Sequence, residues 1–386
     1  MQTIISIAVI TVLISSLLVV LFYGRTRVIG TMPTKMFAFI AILFTSGLDV
    51  GLIMFPMTEF PVYESEAAYT FANPLAIEFG FWGFLIWAFY FLTTVYFCII
   101  EPKLKLFQIP WVKFINNIVI IGTCAFTGYL FLSYLPNYID GISATVKYLL
   151  VAVVVLCAVL SSTDVAYVKK LSVASTWAFF GLIFAMYWYS EMGLTGFVTT
   201  SLNLGEYFTN IHRFVLPITD YHEFYLFWWF AWSIMIGQFV SRFTGSLAIW
   251  QLLLALTILP SIPIAVWFTV LYYYYTNAIE IVGVFKGFMV LVGIIFVINS
   301  LDSLTRLYTT NLKISVESLG WGRYVALNWV LIFCLILSFQ FTPLKIEWIG
   351  LVVIGIYAVV YTKVIQQRKS LFKAEKLSSE NINLEN

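Results

Sequence analysis

Charge is scarce in this sequence: 10% of its 386 residues are Asp, Glu, Lys or Arg, against about 25% in an ordinary soluble domain. Histidine is nearly absent, with His212 and His222 alone, both beside a loop. Haem ligation, zinc hydrolysis and Ser/His/Asp chemistry therefore find almost no material inside the apolar runs. The four cysteines (Cys98, Cys124, Cys157, Cys334) are scattered singly and form no CxxC pair, which removes a disulfide framework and a thiolate metal site. They read as small core hydrophobes. A net charge of +2 offers no footprint for nucleic acid. No nucleophile stands beside a base, so the chain does not read as an enzyme, and nothing calls for a cofactor. What is present is apolar: 61% hydrophobic and 19% aromatic residues, with a mean hydropathy of +0.95. A soluble core cannot hide that much apolar surface, so the excess faces lipid.

A hydrocarbon layer about 30 Å thick takes roughly 20 apolar residues per helix. Eleven runs qualify: 2–23, 36–58, 79–100, 114–135, 145–164, 173–199, 222–242, 249–274, 280–306, 322–341 and 346–363. The first lacks a basic leader and a small-x-small cleavage site, and reads as a true span rather than a signal peptide. With the N-terminus outside, seventeen Lys and Arg fall on inner segments and four (Lys147, Arg213, Lys286, Lys345) on outer ones. That asymmetry sets the orientation expected in a cell (inner) membrane, with the C-terminus cytoplasmic. Outer loops are acidic where charged, as at Glu64, Glu66, Glu78 and Asp140.

No soluble domain can be cut out between these runs. In segment 200–221, Leu204, Tyr207, Phe208, Ile211, Phe214 and Val215 recur at helical spacing, which predicts an amphipathic helix on the outer surface. The second run is interrupted by Ser46-Gly47-Leu48-Asp49-Val50-Gly51. Two glycines and a carboxylate in mid-membrane predict a broken helix lining a cavity, since unsatisfied backbone cannot face lipid. The bland alternative is a close helix contact through Gly47 and Gly51.

The sharpest local feature is Tyr225-Leu226-Phe227-Trp228-Trp229-Phe230-Ala231-Trp232. At 100° per residue Tyr225, Trp229 and Trp232 share a helical face, with Trp228 at its edge. Aromatic faces attract cations, and a quaternary ammonium has no N–H to donate, so ring faces are the means of gripping it. Phe81 and Trp82 supply a second wall. The competing reading is an interfacial aromatic belt.

The stretch Phe224–Arg242 resembles the signature F-Y-W-x-W-W-x-x-W-x-P-F-x-G-x-F-x-A-R of the betaine/choline/carnitine transporters. Phe224, Tyr225, Trp228, Trp229, Trp232, Gly237, Phe239 and Arg242 fall on it in register. Leu226 and Ile234 replace its first Trp and its Pro. Thr45–Phe60 is similar to the family's A-G-M-G-x-G-L-x-F-W-G-x-x-E-P, with Gly47, Gly51, Leu52 and Glu59 matching and Asp49 in place of the middle glycine. Gly24-Arg25-Thr26-Arg27, Ser162–Ser172 and Phe296–Ser303 follow further family motifs, the last keeping Ser300, Asp302 and Ser303.

The resemblance implies an all-α polytopic membrane protein of about eleven transmembrane helices with leucine-transporter-type inverted five-helix repeats. Residues 1–35 would form a peripheral N-terminal helix and inner loop, 36–199 the first repeat, and 200–221 the outer loop helix. Residues 222–341 would be the second repeat, 342–363 the last span and 364–386 a cytoplasmic tail. The chain would start at the family's second span. Implied too are alternating access, a homotrimer in the lipid bilayer, and a quaternary-ammonium substrate between Gly47–Gly51 and the Trp228/Trp229/Trp232 face, with Tyr225, Trp82 and Asp49 beside it. Asn299, Ser300 and Asp302 match the region of the coupling ion, Na+ or H+. An uncoupled exchanger, and a degenerate homologue acting as a sensor or structural subunit, are the other readings.

Overall fold

Backbone in lipid has to satisfy its own hydrogen bonds, and helices do so within one segment. The computed structural model describes residues 1–48 and 50–368, with the side chain of Val165 excepted. Asp49 and the tail beyond Arg368, with Lys369, Lys373 and Lys376, lie outside the described residues. The chain runs through α1 (Gln2–Tyr23), α2 (Met36–Gly47), α3 (Gly51–Met54), α4 (Pro56–Ser65), α5 (Pro74–Trp82) and α6 (Leu85–Val95). There follow α7 (Glu101–Leu104), α8 (Pro110–Tyr134), α9 (Ala144–Ser161), α10 (Val165–Tyr189), α11 (Gly193–Ser201) and α12 (Gly205–Asn210). Last come α13 (Asp220–Val240), α14 (Ile249–Thr276), α15 (Gly283–Leu312), α16 (Val316–Leu319), α17 (Trp321–Phe341) and α18 (Ile346–Gln366).

Among the described residues ten helical segments are long and apolar enough to cross a membrane. The eleventh expected run is the interrupted one: α2 is apolar but only 12 residues long, and α3 and α4 continue its path after the break. The protein is thus an all-α polytopic membrane protein. The third run starts earlier than expected, at Pro74, where Asn73 caps α5 by accepting from the Ala76 N–H. Glu78, which the sequence suggested as an outer-loop acid, is therefore inside a helix and fully buried. The run expected at 173–199 is two helices, α10 and α11, parted by Glu191 and Gly193 at positive φ.

α13 is the hub, packing against α2, α6, α8 and α18. Nearly every side chain from Tyr225 to Val240 on it is buried. α1 sits at the rim against α6, α13 and α14, with Ile7, Leu17, Leu21 and Phe22 exposed as befits a lipid-facing helix. Segment 200–221 is not one surface helix. α12 is a single short helix, and Tyr207 and Phe214 are buried, Tyr207 against Phe79 of α5 and Phe214 against Phe81. Arg27–Val28 and Leu247–Ala248 form a two-residue antiparallel ladder, an element the apolar pattern did not announce.

Candidate functional site

The break between α2 and α3 leaves carbonyls without helical partners, a debt every interrupted helix carries. Leu48 is extended (φ −125°, ψ 160°), and side chains from other helices meet the freed oxygens. Tyr90 of α6 donates its hydroxyl to Gly47 O at 3.1 Å. Ser300 of α15 lies 2.9 Å from Leu48 O and 3.4 Å from Thr45 O. Trp267 of α14 donates to Leu52 O at 2.9 Å, and Tyr138 donates to Met54 O. Gly47 is needed for proximity: a Cβ there would meet the Tyr90 ring at 3.2 Å and the Trp87 ring at 3.4 Å.

Trp82, Tyr225, Trp228 and Trp229 come together as one aromatic cluster. Trp228 and Trp229 stack at 4.6 Å between centroids, 11° from parallel. Trp82 meets them edge-on, at 5.7 Å and 5.0 Å, and Tyr225 lies 5.5 Å from Trp228 and 5.8 Å from Trp82. Phe55, just past the break, closes the cluster at 6.1 Å from Trp82 and 6.2 Å from Trp228. Trp229 donates its indole N–H to Phe81 O at 2.9 Å, which fixes its ring. The Trp82 and Trp228 N–H groups reach no acceptor among the described residues. Trp232 is fully buried a turn deeper and makes none of the cluster's ring contacts. All four tryptophans are essentially inaccessible, so none of them faces outward from the bundle as a residue of an interfacial belt does.

The three residues matched to ion coupling separate. Ser300 stays at the break. Asn299 is turned to α10, donating to Ser175 at 2.8 Å with Ser172 at 3.5 Å from its carbonyl. Asp302 is ion-paired with Arg306 at 2.8 Å and accepts from Ser161 at 3.1 Å. Arg306 also donates to Ser161 O and Asp164 O, so this buried charge pair ties α15 to the end of α9.

A second polar group adjoins the aromatic cluster. Glu59 accepts from Tyr63 at 2.6 Å, from Tyr225 at 3.1 Å and from Tyr221, with Tyr134 at 3.5 Å. Tyr63 also contacts Glu78 at 2.7 Å. Outside the spans, burial pushes the Tyr69 hydroxyl up to about 12, so it stays protonated against Thr219 at 2.6 Å. His222 is stacked on Phe81 at 4.5 Å and accepts the Ile218 N–H, which makes it part of the core rather than a ligand. Among the described residues no group of His, Cys, Asp and Glu has the arrangement of a metal site.

Sequence reading missed Trp87 and Tyr90. Both lie against Gly47, and Trp87 donates its N–H to Trp82 O at 3.2 Å, capping α5 where the third run bends. Their signal was the recurrence of aromatics from Trp82 to Tyr90 on a run that also faces the break.

In structure the chain resembles a Na+-coupled sialic acid symporter solved in a substrate-bound outward-open state, with a TM-score of 0.46 and 15% identity, covering 92% of this chain and 82% of that one. No family model matches the chain. In sequence it is 24% identical over 325 residues to a glycine betaine/proline/choline transporter of Vibrio parahaemolyticus, an alignment over 67% of this chain and 57% of that protein. The chain therefore spans little more than half of that relative's length.

Proposed function

We propose that this chain, related in sequence to the betaine/choline/carnitine transporters, is a secondary transporter of a quaternary-ammonium compound. The observation that carries the proposal is the joining of Trp82, Tyr225, Trp228 and Trp229 into one buried cluster beside a broken helix. A desolvated cation over indole faces gains about 2 kcal/mol or more, and a trimethylammonium head matches such faces because it offers no N–H. The rings are closed on one another here, so the cation enters when Trp82 parts from the Trp228–Trp229 stack. Alternating access supplies that motion, with repeats at 36–199 and 222–341 moving against each other. Trp232 sits below the cluster as a further ring for the translocating cation, and Gly47 and Gly51 let the backbone come close to it. Asp49 adds a carboxylate in this stretch by sequence, which favours choline-like cations without a carboxylate of their own.

Ion coupling has support from oxygen donors. Ser300 Oγ with Thr45 O and Leu48 O is a set suited to a hard cation such as Na+. Asn299 and Asp302 serve the packing of α15 in this arrangement. A homotrimer in the inner membrane is the assembly that goes with the family reading.

Uptake of labelled choline, glycine betaine and carnitine into liposomes carrying the purified protein tests the proposal. Saturable uptake of at least one, half-saturating at a higher concentration in Trp229→Ala, supports it. Uptake equal to empty liposomes for all three rejects it.

A further inference from the structure

Glu59 of α4 and Glu78 of α5 are both buried, with 4% and 0% of their surface exposed, and both reach the same phenol oxygen. Tyr63 bridges them, at 2.6 Å from Glu59 and 2.7 Å from Glu78. A phenol has one proton to give, so it can donate to one of the two carboxyl groups and must accept from the other. The neighbourhood settles which is which. Glu59 has donors from three further tyrosines, Tyr134 of α8 and Tyr221 and Tyr225 of α13, a setting that holds a carboxylate. Glu78 has none: its Oε1 reaches no donor among the described residues. The Trp82 N–H one turn along α5 closes no hydrogen bond to it either.

We propose that Glu59 and Glu78 hold one proton between them, carried on Glu78 and relayed through Tyr63 to Glu59, and that this proton is taken up when the tryptophan cluster closes and released when it opens. This rests on the transport reading above and names the ion that accompanies the closing step.

Like charges this close in a dry site are not both ionised. The remaining groups around the pair supply no positive charge. Tyr138 and Tyr69 are neutral phenols. Glu66 lies near Tyr69, Glu64 is engaged by Tyr275 of α14, and His222 faces the other way, onto Phe81 and Phe214. The ion pairs of the described residues, Lys286–Asp140 and Arg306–Asp302, do not touch it. In the closed arrangement the Glu78 O–H donates to Tyr63 and the Tyr63 O–H donates to Glu59. When water enters, the proton leaves Glu78 for solvent directly, or passes as two concerted transfers, Glu78 to the phenol oxygen and the phenol proton to Glu59, from which it then leaves for solvent. Either route ends with two hydrated carboxylates. Tyr225 touches both Glu59 and the ring cluster, so parting of the rings and wetting of the acids are one movement.

Infrared spectra of the protein in liposomes, without substrate, read the proton itself. At neutral pH wild type shows a protonated-carboxyl C=O band; Glu78→Gln abolishes it, and Tyr63→Phe shifts its frequency by removing its hydrogen-bond partner. A wild-type spectrum without the band, or a band untouched in Glu78→Gln, overturns the proposal. In the same liposomes an outward proton gradient, acid inside, is expected to accelerate choline uptake in wild type, since the cation enters as the proton leaves, and to lose that effect in Glu78→Gln; gradient-driven uptake that persists in Glu78→Gln also overturns it. Liposomes in which wild type moves neither choline nor glycine betaine refute the transport reading, and the infrared band then still decides the proton.

Discussion

The four tryptophans of the cluster region differ in what their N–H groups do, and that difference ranks them. Trp229 is pinned by its bond to Phe81 O, so its ring face is held at a fixed angle to Trp82. A preset face costs least to occupy, and Trp229→Ala is expected to weaken choline binding by about 1–2 kcal/mol, roughly 5–30-fold. Trp229→Phe should cost less, because a weaker face remains. Titration calorimetry of both variants checks the order, and equal affinities in wild type and Trp229→Ala would contradict it. The aromatic run at 225–232 was legible because tryptophans at helical spacing stand out against an aliphatic background. Glu78 was misread for a physical reason: one carboxylate between apolar residues looks like a boundary until the cap at Asn73 is seen to start the helix before it. Tyr90 was passed over because its task, meeting the Gly47 carbonyl, exists only once α6 is packed on the break.

Helices α6 and α13 meet through Gly237. A Cβ at that position would lie 2.4 Å from Thr93 Cβ and 2.8 Å from the Thr93 backbone carbon, and backbone cannot swing aside. Thr93 in turn donates to Ser233 O at 2.8 Å, so the two helices are locked by contact and by hydrogen bond together. Gly237→Ala is expected to destabilise the protein by about 1–3 kcal/mol through overpacking, measured as thermal unfolding in detergent. Gly287→Ala in α15, where nothing lies within 4 Å, is the control, and helix propensity predicts no loss there. Equal losses at both positions would remove the contact argument. The broken helix was foreseeable from Gly47 and Gly51 flanking a polar stretch. The bend between α5 and α6 was less so: Gly83 is one of two glycines, with Gly80, in an otherwise apolar run, and the bend is held by side chains, Ser261 Oγ accepting the Phe84 N–H at 3.2 Å and Trp87 donating to Trp82 O.

Among the described residues, the ten long apolar helices and the interrupted run, if each crosses once, give an odd number of crossings. Reporter fusions after Met1 and at the C-terminus should therefore report opposite sides, with the C-terminus cytoplasmic by the Lys and Arg count; both termini on one side would contradict the eleven-crossing reading. Narrower than topology is the proposal that ring faces in the α5–α13 cluster select positive charge on a methylated head. Calorimetric titration of the purified protein with choline and with its uncharged carbon isostere, dimethylbutanol, isolates that charge at constant shape. Saturable choline binding at least tenfold tighter than the isostere is expected, about 1.4 kcal/mol or more, with the preference shrinking in Trp229→Ala. Equal binding of the two compounds, or no binding of choline, would contradict it.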